Sequence, residues 1–264
     1  MINQFLLPIW TLVQREVIRF YRQRSRVIGA FVTPLVFWLV IGSGMNSSFY
    51  SAGFSKTGYQ EYFFPGIIVM ILLFTAIFSM ISIIEDRREG FLQGVLVSPV
   101  SRSSIVIGKV VGATTVSVLQ ALLFTLLSYF IDIQISFFTF LLLAGVFVLI
   151  SINLTLFGFL MAWRSRSIQG FHVMMNLFLF PMWLLSGAAF PSEGAPVWLE
   201  WLMRINPLTY SVLAVRKVIY LSMPLHNDLS TPSLFFSFMI ILATGGILFL
   251  LSLMEVNRPK MSTI

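Results

Sequence analysis

The sequence predicts an all-α integral membrane protein with six transmembrane helices. Three observations carry the prediction. Of the 264 residues 58% are hydrophobic and 10% are charged, against roughly 25% charged in a soluble globular chain. Mean hydropathy is +0.92. The apolar residues also gather into six long runs without charge, at about 27–44, 63–84, 110–131, 136–162, 171–188 and 233–254. A spanning helix needs about 20 apolar residues, so six use roughly 120 and leave no room for a large soluble catalytic domain. Helices are the natural reading, because isolated strands would leave backbone groups unpaired in lipid. Residues 1–264 read as one transmembrane domain.

The first 26 residues place Ile2, Phe5, Leu6, Ile9, Val13, Val17 and Phe20 at helical spacing, with arginines toward the C-terminal half. Such an amphipathic helix lies at the membrane interface, each arginine worth about 1 kcal/mol beside anionic lipid. Simple topology anchoring and a gating role both remain open for it. Met1 begins no basic n-region followed by a small-residue cleavage site, so no removable signal peptide is expected.

Spans one, two and five contain Pro34, Pro65 and Pro181, which start or bend helices. No span carries an acidic or basic residue in its interior. Glu85, Asp86, Lys109, Asp132 and Arg164 fall just beyond span ends. Between spans two and three, Phe91, Leu92, Val95 and Leu96 recur at helical spacing before Ser98-Pro99 breaks the pattern. That short amphipathic helix presents an apolar face to the bilayer surface or to a partner protein, and the pattern leaves both open.

Between spans five and six, Pro207 to Met223 is apolar enough to imitate a seventh span. Arg216 and Lys217 would then sit near its middle at about 2.5 to 3.5 kcal/mol each. An interfacial or re-entrant helix is expected instead. Val197 to Ile205 alternates tryptophan and leucine with Glu200 and Arg204 and reads as a short surface helix.

With six spans the termini share a side. Thirteen basic residues lie on that side: Arg15, Arg19, Arg22, Arg24 and Arg26, then Arg87, Arg88, Arg102 and Lys109, then Arg164 and Arg166, then Arg258 and Lys260. Lys56, Arg204, Arg216 and Lys217 make four on the other. The positive-inside rule puts both termini in the cytoplasm of a cell membrane, a bacterial inner membrane by expectation. The net charge of +7 thus reads as orientation rather than as nucleic-acid binding.

The chemistry is sparse. Ion-coupled transporters keep ionisable residues at mid-membrane, and the six spans have none. Gln120, Asn153 and Asn176 are amides of the kind that bridge neighbouring helices. There is no HExxH and no Asp-rich cluster, His172 and His226 stand alone with structural roles expected, and zero cysteines exclude thiolate metal sites and cysteine nucleophiles. The phosphate-cradling loop GxxxxGK[ST] fails at Gly108-Lys109, because Ser103 occupies the first glycine position and Val110 follows the lysine. An energy source, if one is used, belongs to another chain.

Three stretches carry a family resemblance: RREGFLQGVLVSPVSRSSIVIGK after span two, LFPMWLLSGAAFPSEGAPVWLEWL around the end of span five, and INPLTYSVLAVR before span six. In order and spacing they resemble permeases of the ABC-2 exporter family, especially those of drug resistance, nodulation-factor and polysaccharide export. The chain departs from that pattern where Phe91 replaces a threonine and Gln93-Gly94 stand in place of Glu-Gln.

The resemblance implies a non-enzymatic permease subunit, paired with a second copy of itself or a paralogue. Two separate ATP-binding cassette subunits would carry the ATP and Mg, with no cofactor on this chain. It implies that Arg87 to Val97 forms a coupling helix seated on the ATPase through Arg87, Arg88, Glu89, Phe91, Leu92, Val95 and Leu96. It also implies that Phe190 to Met223 forms two short helices entering the outer leaflet. An amphipathic substrate would pass along spans one, two and five, where Phe31, Phe37, Trp38, Phe64, Phe74, Phe78, Phe178 and Phe180 crowd, although most of 27 phenylalanines in a membrane chain face lipid or neighbours. An ATP-independent channel or lipid scramblase is the alternative, and a membrane anchor or assembly factor a third.

Overall fold

The computed structural model describes residues 2–45, 58–98, 100–131, 133–191, 195–221 and 232–258. Lys56, Pro99, Asp132, His226 and Lys260 lie outside them. Among the described residues all regular secondary structure is helical, and six helices are long and apolar enough to cross a membrane: Val27–Gly44, Tyr59–Arg88, Arg102–Ile131, Phe137–Arg164, Ile168–Ala188 and Leu234–Asn257. Each expected span is found, the second and third about two turns longer than the apolar run itself.

The helices are α1 (Ile2–Arg22), α2 (Arg24–Gly44), α3 (Tyr59–Ser79), α4 (Ile81–Arg88), α5 (Phe91–Val97), α6 (Arg102–Thr125, continued to Ile131 as a 3-10 turn), α7 (Phe137–Arg164), α8 (Ile168–Trp183), α9 (Val197–Ile205), α10 (Pro207–Ile219) and α11 (Leu234–Asn257). The N-terminal helix, expected over residues 1–26, ends at Arg22. Gln23 leaves helical geometry at φ −90° and ψ 75°, and α2 begins at Arg24.

Helix α3 is the hub. Of its span 89% is buried inside a single chain, against 22% for the spans of α2 and α8 and 11% for that of α11. A run such as Ile67 to Leu73 has no polar face because neighbours surround it on every side. Polar pairs stitch the hub to α6, α6 to α7 and α7 to α11. Thr75 Oγ1 donates to Gln120 Oε1 at 2.5 Å, Ser117 meets Ser151, and Thr244 donates to Asn153 at 2.9 Å. Two of the three expected bridging amides therefore bridge. Asn176 does not: it lies on the exposed side of α8 with Leu177 and Phe178.

At one end of the bundle span five breaks its α-helical ladder. Leu184–Ala188 forms a π-turn with Gly187 at φ 75°, which frees carbonyls that need donors away from water. Tyr62 Oη reaches Gly187 O at 3.0 Å, Tyr59 Oη reaches Ala189 O at 2.8 Å, and Arg216 reaches Gly187 O at 3.1 Å from 4.2 Å over the Tyr62 ring. Lys217 donates to Pro232 O at 2.6 Å, and burial pushes its ammonium pKa down. The two cations that argued against a seventh span thus end on backbone carbonyls. Helix α10 has 13 residues, about 20 Å, short of the roughly 30 Å hydrocarbon core.

Candidate coupling site

The opposite end gathers α1, α4, α5 and the first turns of α6, together with the last turns of α7 and α11. Span two does not stop at Ile84. After a loosened turn at Met80 it continues as α4 to Arg88, and span three starts two turns before its apolar run, at Arg102, with Ser101 Oγ capping Ser104 N. Both extensions carry charges inward that the sequence places at solvated span ends: Asp86 is 0% and Lys109 1% exposed.

These charges stay buried because they are paired. Arg15 grips Asp86 with both terminal nitrogens, at 2.8 and 2.6 Å, a bidentate fork. Arg19 adds a bond to Asp86 at 2.5 Å and lies 3.1 Å from Glu85 and 3.2 Å from Glu89. Lys109 Nζ reaches Asp86 at 2.6 Å, Ser82 Oγ at 3.0 Å and Glu16. Ser82 in turn donates to the second oxygen of Glu16 at 2.6 Å. The hydrogen bonds it donates to Asp86 raise the already high pKa of Arg15, which keeps its charge at any working pH.

Helix α1 comes this close because α6 offers it two glycines one turn apart. A Cβ on Gly108 would lie 2.8 Å from Leu12 Cβ, and one on Gly112 would lie 2.7 Å from Glu16 Cβ. This is a small-xxx-small seam of the kind that lets helix backbones meet in membranes. The amphipathic face is legible at Ile9, Val13, Val17 and Phe20, but its centre line is Leu12, Glu16 and Phe20, all buried. Arg15 and Arg19, expected over anionic headgroups, face carboxylates instead. Arg22 and Arg24 remain exposed.

The expected helix from Arg87 to Val97 is two pieces. Gly90 takes φ 79°, a left-handed turn that ends α4 and redirects the chain into the seven-residue α5. Leu92 is turned inward and buried, Val95 and Leu96 are half-buried, and Arg88, Glu89, Gln93 and Val97 face out, Val97 at 86% exposure. Arg87 points back into the bundle, donating to Trp163 O at 2.7 Å and Ser165 O at 2.8 Å at the end of α7. Arg15 lies 3.7 Å over the Phe91 ring and so ties α5 to the ion cluster. Arg102 caps α11 through Val256 O at 2.7 Å.

A family model described as the ABC-2 type transporter matches residues 8–220, from α1 to the end of α10. The chain belongs to the ABC-2 type transporter family. It is 27% identical over 214 residues to a putative transport permease ycf38 of Cyanophora paradoxa, covering 80% of this chain and 74% of that one. It is 23% identical over 215 residues to the inner membrane transport permease YadH of Escherichia coli strain K12, covering 80% and 81%. With the probable multidrug ABC transporter permease YbhR of the same strain it shares 32% over 171 residues, 62% of this chain and 44% of that one. This ABC-2 chain is accordingly a multi-pass transport permease.

The aromatic candidates on spans one, two and five of this ABC-2 permease separate into two sets. Trp38 and Phe64 are enclosed within one chain around Phe124, Phe64 stacked on it at a ring distance of 5.3 Å and Trp38 edge-on at 5.7 Å, and Phe31 touches the same ring edge-on at 6.2 Å. Phe74 and Phe78 stack at 5.7 Å and are half-buried. Phe37 meets Phe180 at 6.2 Å. Phe178 and Phe180 are 53% and 37% exposed on α8. The sequence reading missed Glu16, Ser82 and the glycine seam. Their signal was a lone acid inside an apolar stripe and a G-x-x-x-G at the start of span three.

Proposed function

We propose that the chain is the membrane-spanning permease of an ATP-driven exporter, with both termini in the cytoplasm and the pathway at the interface of two such subunits. A separate ATP-binding cassette subunit, in two copies, docks on the exposed side of α5 and the adjoining surface of α1. It supplies ATP and Mg, while this chain supplies the moving part.

The observation that carries this reading is the buried ion cluster. Asp86 stands on span two, Lys109 on span three, Glu16, Arg15 and Arg19 on α1, and Phe91 on α5, all within one set of contacts. A displacement of α5 is then shared by two spans rather than absorbed by a loop, as a two-position element driven by a ligand on another chain requires. The half-exposed α8 and the little-buried α2 support a pathway face carrying Phe37, Phe178 and Phe180. Aromatic walls of this kind suit an amphipathic substrate. At the far end, α9 and α10 enter the outer leaflet without crossing it.

The test is co-expression with the cognate ATP-binding subunit. Stable copurification and substrate-stimulated ATP hydrolysis are expected, both lost when Val97 and Gln93 are replaced by aspartate. Substrate flux through vesicles containing this chain alone, indifferent to ATP, would overturn the proposal in favour of a channel or scramblase.

A further inference from the structure

Beneath the first turn of α10 the structure contains a cavity of about 250 Å³. Its roof is Pro207, Leu208 and Ser211 of α10, and its walls come from Phe157 on α7 and Ile247 and Leu248 on α11, with Met182 of α8 closing one side. The lining is apolar except for Asn153, Thr244 and Ser211. The first two are committed elsewhere, Asn153 Nδ2 donating to Leu149 O at 3.0 Å and the Thr244 hydroxyl to Asn153 Oδ1 at 2.9 Å. Water needs two to four polar partners each in such a space, and the second Asn153 N–H with the Ser211 hydroxyl suffices for about one molecule, not for the whole volume. An empty space of that size would forgo dispersion contacts along its whole wall.

The depth of the cavity decides what fills it. Asn153 is near the middle of α7 and Thr244 near the middle of α11, so the space lies level with the centre of the bundle. Helix α10 descends only about 20 Å, leaving the volume under its tip unfilled by protein. The cavity is not sealed, because Ile247 on its rim is 58% exposed. It opens sideways between helices at a depth where the surrounding medium is hydrocarbon.

We propose that this cavity is a lipid site, holding the terminal half of one phospholipid acyl chain that rises under α10 from the leaflet on the side of the ion cluster. The chain acts as the missing lower half of α10 and supports its tip. Asn206, which donates to Met182 O at 2.5 Å and caps Leu208 N at 3.0 Å, holds the roof in place above it. The proposal rests on the reading of α9 and α10 as re-entrant.

The full chain is reconstituted in phosphatidylethanolamine and phosphatidylglycerol vesicles, with some of the phosphatidylethanolamine carrying a diazirine near the end of one acyl chain, and irradiated. Labelling should concentrate on 153–157 and 241–248. Ser211→Phe places a ring in the space and Ile247→Trp closes its rim. Either displaces two or more methylenes and should lower labelling there about tenfold, while labelling of the exposed α8 face at Leu177 is unchanged. Labelling spread evenly over all exposed helix faces, or indifferent to both substitutions, overturns the site.

Because the chain has no cysteine, Val197→Cys and Ile205→Cys report depth separately. A re-entrant pair leaves Val197→Cys reactive to a membrane-impermeant maleimide and Ile205→Cys protected. Reaction at Ile205→Cys overturns the re-entrant reading and the lipid site with it. Protection there without enriched labelling overturns the lipid site alone.

Discussion

Replacing Lys109 by methionine tests whether the ion cluster holds the coupling end together. The ammonium is the shared partner of Glu16 and Asp86, and the three side chains are 2%, 3% and 1% exposed. Without it Asp86 keeps the fork from Arg15 and the bond from Arg19, so its charge stays compensated. Glu16 keeps only the Ser82 hydroxyl and a guanidinium 4.0 Å away. One carboxylate is therefore left nearly unpaired in a dry site, which costs about 3 to 5 kcal/mol. At about 2 to 4 °C per kcal/mol for a chain of this size, the unfolding midpoint should fall by about 6 to 20 °C. Intrinsic tryptophan fluorescence during a thermal scan of the purified protein reads it. The double variant Glu16→Leu/Lys109→Met removes the orphan and should recover most of the loss, giving a coupling energy of about 2 to 3 kcal/mol. A single variant as stable as the parent, or a double variant no better than the single, would refute the cluster as drawn.

Further expectations follow from the same geometry. Gly112→Leu must push α1 off α6 because no Cβ fits within 2.7 Å of Glu16; a cost of about 1 to 3 kcal/mol and faster trypsin cleavage at Arg22 or Arg24 should accompany it. Gly90→Val meets open space, so its cost is conformational alone, about 1 to 2 kcal/mol. It should lower substrate-stimulated ATPase in the assembled complex more than it lowers the unfolding midpoint. Asn206→Ala removes a helix cap and a bond to Met182 O and should cost about 1 to 2 kcal/mol, read by the same thermal scan. Val97→Asp, on an 86% exposed position, should leave the midpoint within about 0.5 kcal/mol while weakening retention of the ATP-binding subunit on an affinity column.

The number and order of the spans were legible because twenty apolar residues in a row have few other uses. The short helices before span six were legible from Arg216, Lys217 and the tryptophan alternation. What escaped was tertiary. Lys109 and Asp86 read as span-end charges, since nothing local says that α1 will fold over them. Glu16 looks like a surface acid until Gly108 and Gly112 are seen to share a face one turn apart. The single helix expected from Arg87 to Val97 failed at Gly90, where a glycine in a charged stretch reads as permissive and is in fact a left-handed corner. Trp38 and Phe64 illustrate the limit of composition: on paper they match Phe178 and Phe180, yet they are packed against Phe124 while the others stay open.

The pairing of Lys109 with Glu16 joins residues 93 apart in sequence, and that separation has a meaning in time. A ribosome adding about 5 to 20 residues per second needs roughly 5 to 20 s to reach the lysine after making the glutamate. Through that interval α1 exists without its seat. Arg15 and Arg19 likewise have no carboxylate partner on or beside α4 until Glu85, Asp86 and Glu89 have been made. The cluster is thus a late clasp on α1, closing only once the second and third spans have been made.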